Sequence, residues 1–174
     1  MARKEYYAAL SKMIEFRDGK PYWIVNRPPN VKIGDESGYI DTRGYRMIGL
    51  KLGGEFQQLS AHRLCFFINS GRVPNIIDHV NRIKDDNRIK NLRECTRMEN
   101  SRNMGTQSNN KSGYKGVSPS GVKFQCHINI GKKQIYLGTF KCKNEAARVY
   151  NFAARMHHGK FAYTNIIKEE NINV

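Results

Sequence analysis

The stretch Ile77-Asp78-His79-Val80-Asn81, read on through Asn87, Asn91-Leu92-Arg93, Glu94 and Asn100 to Asn103, decides how the chain is organised. Ile76-Ile77 reads as a short buried strand that ends on Asp78 and His79. Arg82 to Lys90 is too polar and too charged for a core element, so an exposed loop is expected there. Asn91 is a good N-cap, and Glu94 follows three residues later in the capping-box position. This predicts a helix that starts at Asn91 and stops near Gly105. Strand, loop and helix would bring Asp78, His79 and Asn100 to one small site.

An Asp carboxylate and an Asn amide oxygen are hard donors, suited to Mg²⁺ or Mn²⁺ rather than to a closed thiolate zinc site. His79, next to such a ligand, can take a proton from water near neutral pH. A metal that steadies a phosphate and a base that activates water together describe phosphodiester hydrolysis. Taken singly, an Asp-His pair is ordinarily a polar strand end and an Asn before a helix only a cap. The joint pattern is far more specific. His62-Arg63-Leu64, Asp78-His79, Asn87, Asn91-Leu92-Arg93 and Glu99-Asn100-Ser101-Arg102-Asn103 closely resemble the HNH endonucleases of phages and mobile introns.

That resemblance implies a ββα-metal site. Asp78 would be a metal ligand, His79 the general base, and Asn91 the residue that holds the hairpin loop and orients the base. Asn100 would be the second ligand where many relatives carry His, with Asn103, one turn along the same helix face, as the alternative. His62 stays outside the catalytic set, as a structural or phosphate-contacting residue.

The chain has 174 residues, enough for one medium domain or two small ones. Its net charge of +15 favours a polyanion partner over a small-molecule substrate. No run approaches the roughly 18 apolar residues that span a membrane, and the start leads into no signal-peptide core. A cytoplasmic protein acting in a bacterial host cell is expected. Cys65, Cys95, Cys126 and Cys142 form no CxxC pair and read as free thiols.

In order, Lys4 to Phe16 shows helical apolar spacing, and Asp18-Gly19-Lys20 reads as a turn before a strand at Tyr22 to Val25. Arg27-Pro28-Pro29-Asn30 breaks that strand. Strands are expected at Gly38 to Asp41, Tyr45 to Leu52 and Phe56 to Leu59, then a helix from Ala61 to Asn69. Met104 to Gly113 has almost nothing to bury and reads as a solvated linker.

Beyond it, Tyr114 to Val117 is a short strand, and Ser118-Pro119-Ser120-Gly121 a turn. Lys123 to Ile130 alternates apolar Phe124, Cys126, Ile128 and Ile130 with Lys123, Gln125, His127 and Asn129. Gln134 to Phe140 pairs back with Gln134 and Tyr136 outward, and a helix from Lys143 to His158 packs its alanines on the sheet before Gly159. From Thr106 to Asn165, ten Lys and Arg stand against Glu145 alone, a net +9. A sheet with one apolar face and one basic, amide-rich face is suited to nucleic acid.

Tyr114-Lys115-Gly116-Val117, Tyr136-Leu137-Gly138-Thr139-Phe140, Glu145-Ala146-Ala147-Arg148-Val149-Tyr150, Gly159 and Asn165 resemble the AP2/ERF DNA-binding domain. The resemblance implies a three-stranded sheet laid in the major groove. Ser118, Asn129 and Gln134 replace strand arginines of the plant members, Tyr136 replaces a Trp and Cys142 a capping Thr, so the plant target does not carry over.

The expected fold class is α+β: an HNH domain over residues 1–105 (its ββα-metal core about 59–105), a linker at 106–113, an AP2/ERF-like three-stranded antiparallel sheet on one helix at 114–165, and a tail at 166–174. The expected function is a site-specific, Mg²⁺- or Mn²⁺-dependent endonuclease of the homing type, phage-encoded, acting on double-stranded DNA as a monomer or transient dimer. Lys115, Lys123, Lys132 and Lys133 would contact phosphates, and Gln125, His127, Asn129, Gln134 and Tyr136 would lie on the reading face. The alternative is a sequence-specific transcriptional regulator with a vestigial nuclease domain; the intact Asp78-His79-Asn91-Asn100 set argues against it.

Overall fold

The computed structural model describes residues 3–27 and 29–167. The tail from 168 onward and Pro28, within the expected strand break, lie outside the described residues. The chain forms two compact units, Met1–Cys95 and Thr96–Val174.

The first unit opens with helix α1 (Arg3–Leu10), whose Tyr6, Tyr7 and Leu10 are buried. The helix is shorter than its apolar spacing suggests. Ser11 to Met13 form a turn, and Ile14 joins strand β1 (Ile14–Arg17), paired antiparallel with β2 (Lys20–Trp23). The intervening turn has Asp18 and Gly19 both at positive φ, the geometry a two-residue hairpin needs. At Gly19 a Cβ would lie 2.6 Å from the Arg88 backbone nitrogen, so the glycine also admits the loop that carries the site residues. Strands β3 (Tyr39–Ile40), β4 (Arg46–Leu52) and β5 (Glu55–Ser60) form an antiparallel sheet in that order. Helix α2 (Ala61–Ser70) follows and ends on Gly71 in the left-handed region. Tyr6, Leu10, Ile14, Trp23, Ile48, Leu59 and Leu64 belong to the core between these elements.

A two-stranded hairpin, β6 (Ile77–His79) and β7 (Leu92–Glu94), completes the unit. Ile77 and Leu92 bury against Cys65 and Phe66 of α2. Each contributes roughly 1.5–3 kcal/mol by that burial, which fixes where the strand end lies. The helix expected from Asn91 does not form there. Asn91 closes a single 3₁₀ turn (Ile89–Asn91), and Leu92 to Glu94 pair with β6 because Leu92 has a buried apolar seat. Helix α3 (Arg97–Asn103) starts three residues after Glu94. Its capping box is Thr96 with Glu99, and it ends at Met104 rather than Gly105.

In the second unit β8 (Val117–Ser120), β9 (Lys123–Ile130) and β10 (Lys133–Phe140) make a three-stranded antiparallel sheet with β9 central. The first strand begins at Val117, so Ser118 to Ser120 are strand and the turn falls at Gly121. Helix α4 (Lys143–His158) lays Ala146, Ala147, Tyr150, Ala153 and Ala154 on Val117, Cys126 and Ile128. Its N-cap, Cys142, makes no side-chain capping bond. Gly116 has φ +76, and a Cβ there would run into the Tyr150 ring and lie 2.6 Å from the His127 carbonyl oxygen. Only glycine fits that approach of strand to helix.

The polar stretch at 106–113 is not a solvated tether throughout. Ser112 is buried, and its hydroxyl donates to the Val117 carbonyl at 2.8 Å, while Asn110 Nδ2 donates to the Tyr114 and Val117 carbonyls, both at 3.1 Å. No helix among the described residues is long and apolar enough to cross a membrane.

Candidate functional site

Strand β6 places Asp78 and His79 side by side, both almost fully buried. Asp78 faces Arg93 across the hairpin. Arg93 donates to Asp78 Oδ2 through Nε at 2.8 Å and Nη2 at 2.6 Å.

His79 is held from the loop. Its Nε2 lies 3.2 Å from Asn87 Oδ1, and Asn87 Nδ2 donates to the Asp85 carbonyl at 3.3 Å. The second bond fixes which end of the amide faces the imidazole. Asn87 therefore accepts, Nε2 carries the proton, and Nδ1 carries the lone pair. Burial pushes the His79 pKa below its ordinary value, opposed by the Asn87 hydrogen bond and the Asp78 charge. The imidazole is thus neutral at pH 7, as a base must be.

The expected orienting residue, Asn91, acts one step further away. Its Oδ1 accepts from the Asn81 backbone N–H at 3.0 Å, and its Nδ2 donates to Asn81 Oδ1 at 2.9 Å and the Asp86 carbonyl at 2.8 Å. Asn91 closes the loop, and the closed loop presents Asn87, eight residues on from His79. The loop is therefore not uniformly exposed: Asn87 is 1% exposed. Asp85 anchors it further, accepting from Arg46 Nε at 2.8 Å and from Lys20. Asp86 pairs with Arg88, whose hydrogen bond brings its pKa down to about 2.

On its other side His79 meets a second imidazole. The rings of His62 and His79 stand edge to face with centroids 5.2 Å apart, and Tyr45 lies 5.3 Å from His62 and 6.1 Å from His79. Burial, then the His79 and Arg63 charges, push the His62 pKa down to about 3. His62 is consequently a neutral packing partner of His79 and Tyr45.

Asn100, half-buried, and Asn103, buried, lie on α3 in the second unit. Among the described residues no group of three or more His, Cys, Asp or Glu could hold a metal ion. The donor chemistry nonetheless suits Mg²⁺, which keeps several waters and takes one or two carboxylates together with substrate phosphate. In this structure the Arg93 guanidinium occupies Asp78 Oδ2.

Strand register sets the polar face of the sheet in the second unit. Ser118 pairs with Gln125 and Gln125 with Thr139; His127 pairs with Tyr136, and Asn129 with Gln134. A bulge after Tyr136 absorbs Leu137 and returns Thr139 to this face. The His127 and Tyr136 rings lie 5.3 Å apart, and the Tyr136 hydroxyl is 2.6 Å from Thr139 Oγ1. Lys123 is exposed on the sheet, and Lys132 and Lys133 at the hairpin tip. Lys115 differs: its ammonium donates to the Ser101, Arg102 and Met104 carbonyls at 3.3, 2.8 and 2.6 Å, closing the C-terminal end of α3. Asn165, the last residue of the AP2-like pattern, bonds both the N–H and the carbonyl of Lys115.

A carboxylate and a neutral imidazole thus stand at the end of a buried hairpin strand, with an Asn-closed loop behind them. Residues 60–102 match the HNH endonuclease family model, and the chain carries an HNH endonuclease domain. It is similar to the uncharacterized HNH endonuclease L560 of Acanthamoeba polyphaga mimivirus, 31% identical over 137 residues, covering 74% of this chain and 66% of that protein. It is also similar to the ethylene-responsive transcription factor-like protein At4g13040 of Arabidopsis thaliana, 50% identical over 42 residues, 24% of this chain and 19% of that protein. The chain thus spans just under two thirds of the first relative and a fifth of the second. A solved structure describing DNA binding and cleavage by the HNH homing endonuclease I-HmuI matches 49% of this chain and 47% of its own, at 31% identity and a TM-score of 0.38.

Proposed function

We propose that the chain is a site-specific DNA endonuclease of the homing type that hydrolyses phosphodiester bonds in duplex DNA with Mg²⁺ or Mn²⁺. The observation that carries this reading is His79: neutral, tautomer set by Asn87, and adjacent to a buried carboxylate. His79 Nδ1 accepts the proton of the attacking water, and the imidazolium that results is stabilised by the neighbouring Asp78 charge. Asp78 and, by the family resemblance, Asn100 are the hard oxygen donors that would hold the metal. When bound, that ion supplies charge stabilisation at the phosphate and leaving oxygen. The AP2-like half, 114–165, provides the hold on the target. Lys123, Lys132 and Lys133 give salt-dependent affinity for phosphates, and Gln125, His127, Asn129 and Gln134 meet base edges beside Tyr136.

The test is nicking of supercoiled plasmid carrying the target, with Mg²⁺, Mn²⁺ or EDTA, by the wild type and by His79→Ala. Metal-dependent cutting that the variant loses supports the reading. Binding to duplex without any cutting under all metals refutes it and leaves a regulator.

A further inference from the structure

The second unit holds a cleft of about 500 Å³. One wall is the end of α3 and the chain after it, including Arg102, Gln107 and Asn109; the other is the edge of the reading face, with His127, Asn129 and Gln134. Among the described residues no Asp or Glu lines it. The side-chain amides of Gln107, Asn109, Asn129 and Gln134 make no hydrogen bond among the described residues, whereas Asn110 spends its amide on the fold. Four unspent amides thus converge on one concave space, each offering a carbonyl acceptor and two N–H donors. Met98 and Met104, 48% and 60% exposed, add polarisable thioethers of the kind that pack on ring faces.

The walls are fixed before any ligand arrives. His158 Nε2 lies 3.0 Å from the Asn129 carbonyl, the His127 N–H donates to the Gly116 carbonyl at 2.8 Å, and Lys115 clamps the end of α3. The backbone of such a site needs little ordering on binding.

The shape selects the ligand. An intact duplex is read by an element that enters a groove about 12 Å wide. A walled cleft cannot do that. Its volume lies in the range of roughly 300–1,000 Å³ usual for small-molecule sites, and amides there can pair with the edge of a base that has left its stack. We propose that this cleft binds one unpaired nucleotide of a DNA strand, its base edge on the Gln107 and Asn109 amides and its phosphate near Arg102. The proposal rests on the reading of the chain as a DNA-binding nuclease and adds a single-nucleotide site to the duplex-reading sheet.

The experiment uses the full chain, fluorescein-labelled single-stranded tetranucleotides and a labelled duplex, followed by anisotropy at one salt concentration. The tetranucleotides bind, and Gln107→Ala with Asn109→Ala, both on exposed side chains, weakens that binding at least tenfold with an unchanged melting temperature. Asn109→Leu, which keeps the bulk and removes donors and acceptor without adding charge, does the same. The side-chain amide signals of Gln107 and Asn109 shift on adding the tetranucleotide. If the duplex binds while tetranucleotides do not, or bind all variants alike, the cleft assignment is overturned and the nuclease reading stands. If neither DNA binds, both fall.

Discussion

Lowering the pH from 7 to 5 should destabilise the first unit through His62. An unfolded imidazole titrates near 6.5, whereas burial holds His62 at about 3. The folded pKa is the lower one, so the stability it contributes is present above 6.5 and is lost as the pH falls toward 3. One proton taken up by the unfolded chain across this interval gives a loss of about 2 kcal/mol by pH 5. His79, also shifted down, adds in the same direction. Asp85 and Asp86 have pKa values lowered below the carboxylate range and stay ionised throughout. At ordinary urea sensitivities the midpoint of unfolding should fall by about 1 M. The chain supplies its own probe: its single tryptophan, Trp23, lies in the core of the same unit, so its fluorescence follows that unit alone. His62→Leu removes the titrating group at a site where Nδ1 has no hydrogen-bond partner among the described residues, and should flatten most of the pH dependence. A wild-type midpoint that does not move between pH 7 and 5, or a variant that drops as far as the wild type, would show that His62 is not held neutral by burial.

Removing the base by His79→Ala should lower the cleavage rate about 10²–10⁴-fold with duplex affinity unchanged in anisotropy titrations. Asn87→Ala should lower the rate while His79 remains, and imidazole ¹⁵N shifts should show the loss of the single Nε2–H tautomer; an unaltered tautomer would remove Asn87 from its role. Asp78→Ala should raise the Mg²⁺ concentration needed for half-maximal cutting. Lys115→Met should lower the thermal stability of the second unit without altering the salt slope of binding, whereas Lys132→Ala should weaken all sequences alike and reduce that slope. Asn129→Ala or Gln134→Ala should relax sequence preference in competition binding, by roughly 1–3 kcal/mol for each bidentate amide–base pairing removed.

In the second unit the central strand and the long helix were legible in the sequence, whereas its first strand and the chain before it were not. Strict alternation along Lys123 to Ile130 and the Ala-rich helix ending at Gly159 are local signals, and both elements lie where those signals put them. The hairpin was less legible. Asn91 and Glu94 have a cap's spacing, but two three-residue strands have no periodicity of their own. Their pairing is decided by the seats for Ile77 and Leu92 on α2, a tertiary fact. The true cap, Thr96 with Glu99, was equally visible and lay five residues further on. The roles of Asn87 and Lys115 depend on the loop folding back and on a helix end meeting a lysine eleven or more residues later. No local pattern announces either.

The Lys115 clamp bears on how such a chain can be recombined. A graft joined at Gln107 would separate the ammonium from all three of its carbonyls and leave Arg97–Asn103 without its C-terminal partner. A graft joined at the Cys95–Thr96 boundary keeps helix, clamp, sheet and cleft as one transferable piece. Exchange of the first unit alone would then leave Arg97–Asn103, with Asn100 on it, attached to the sheet that clamps its end.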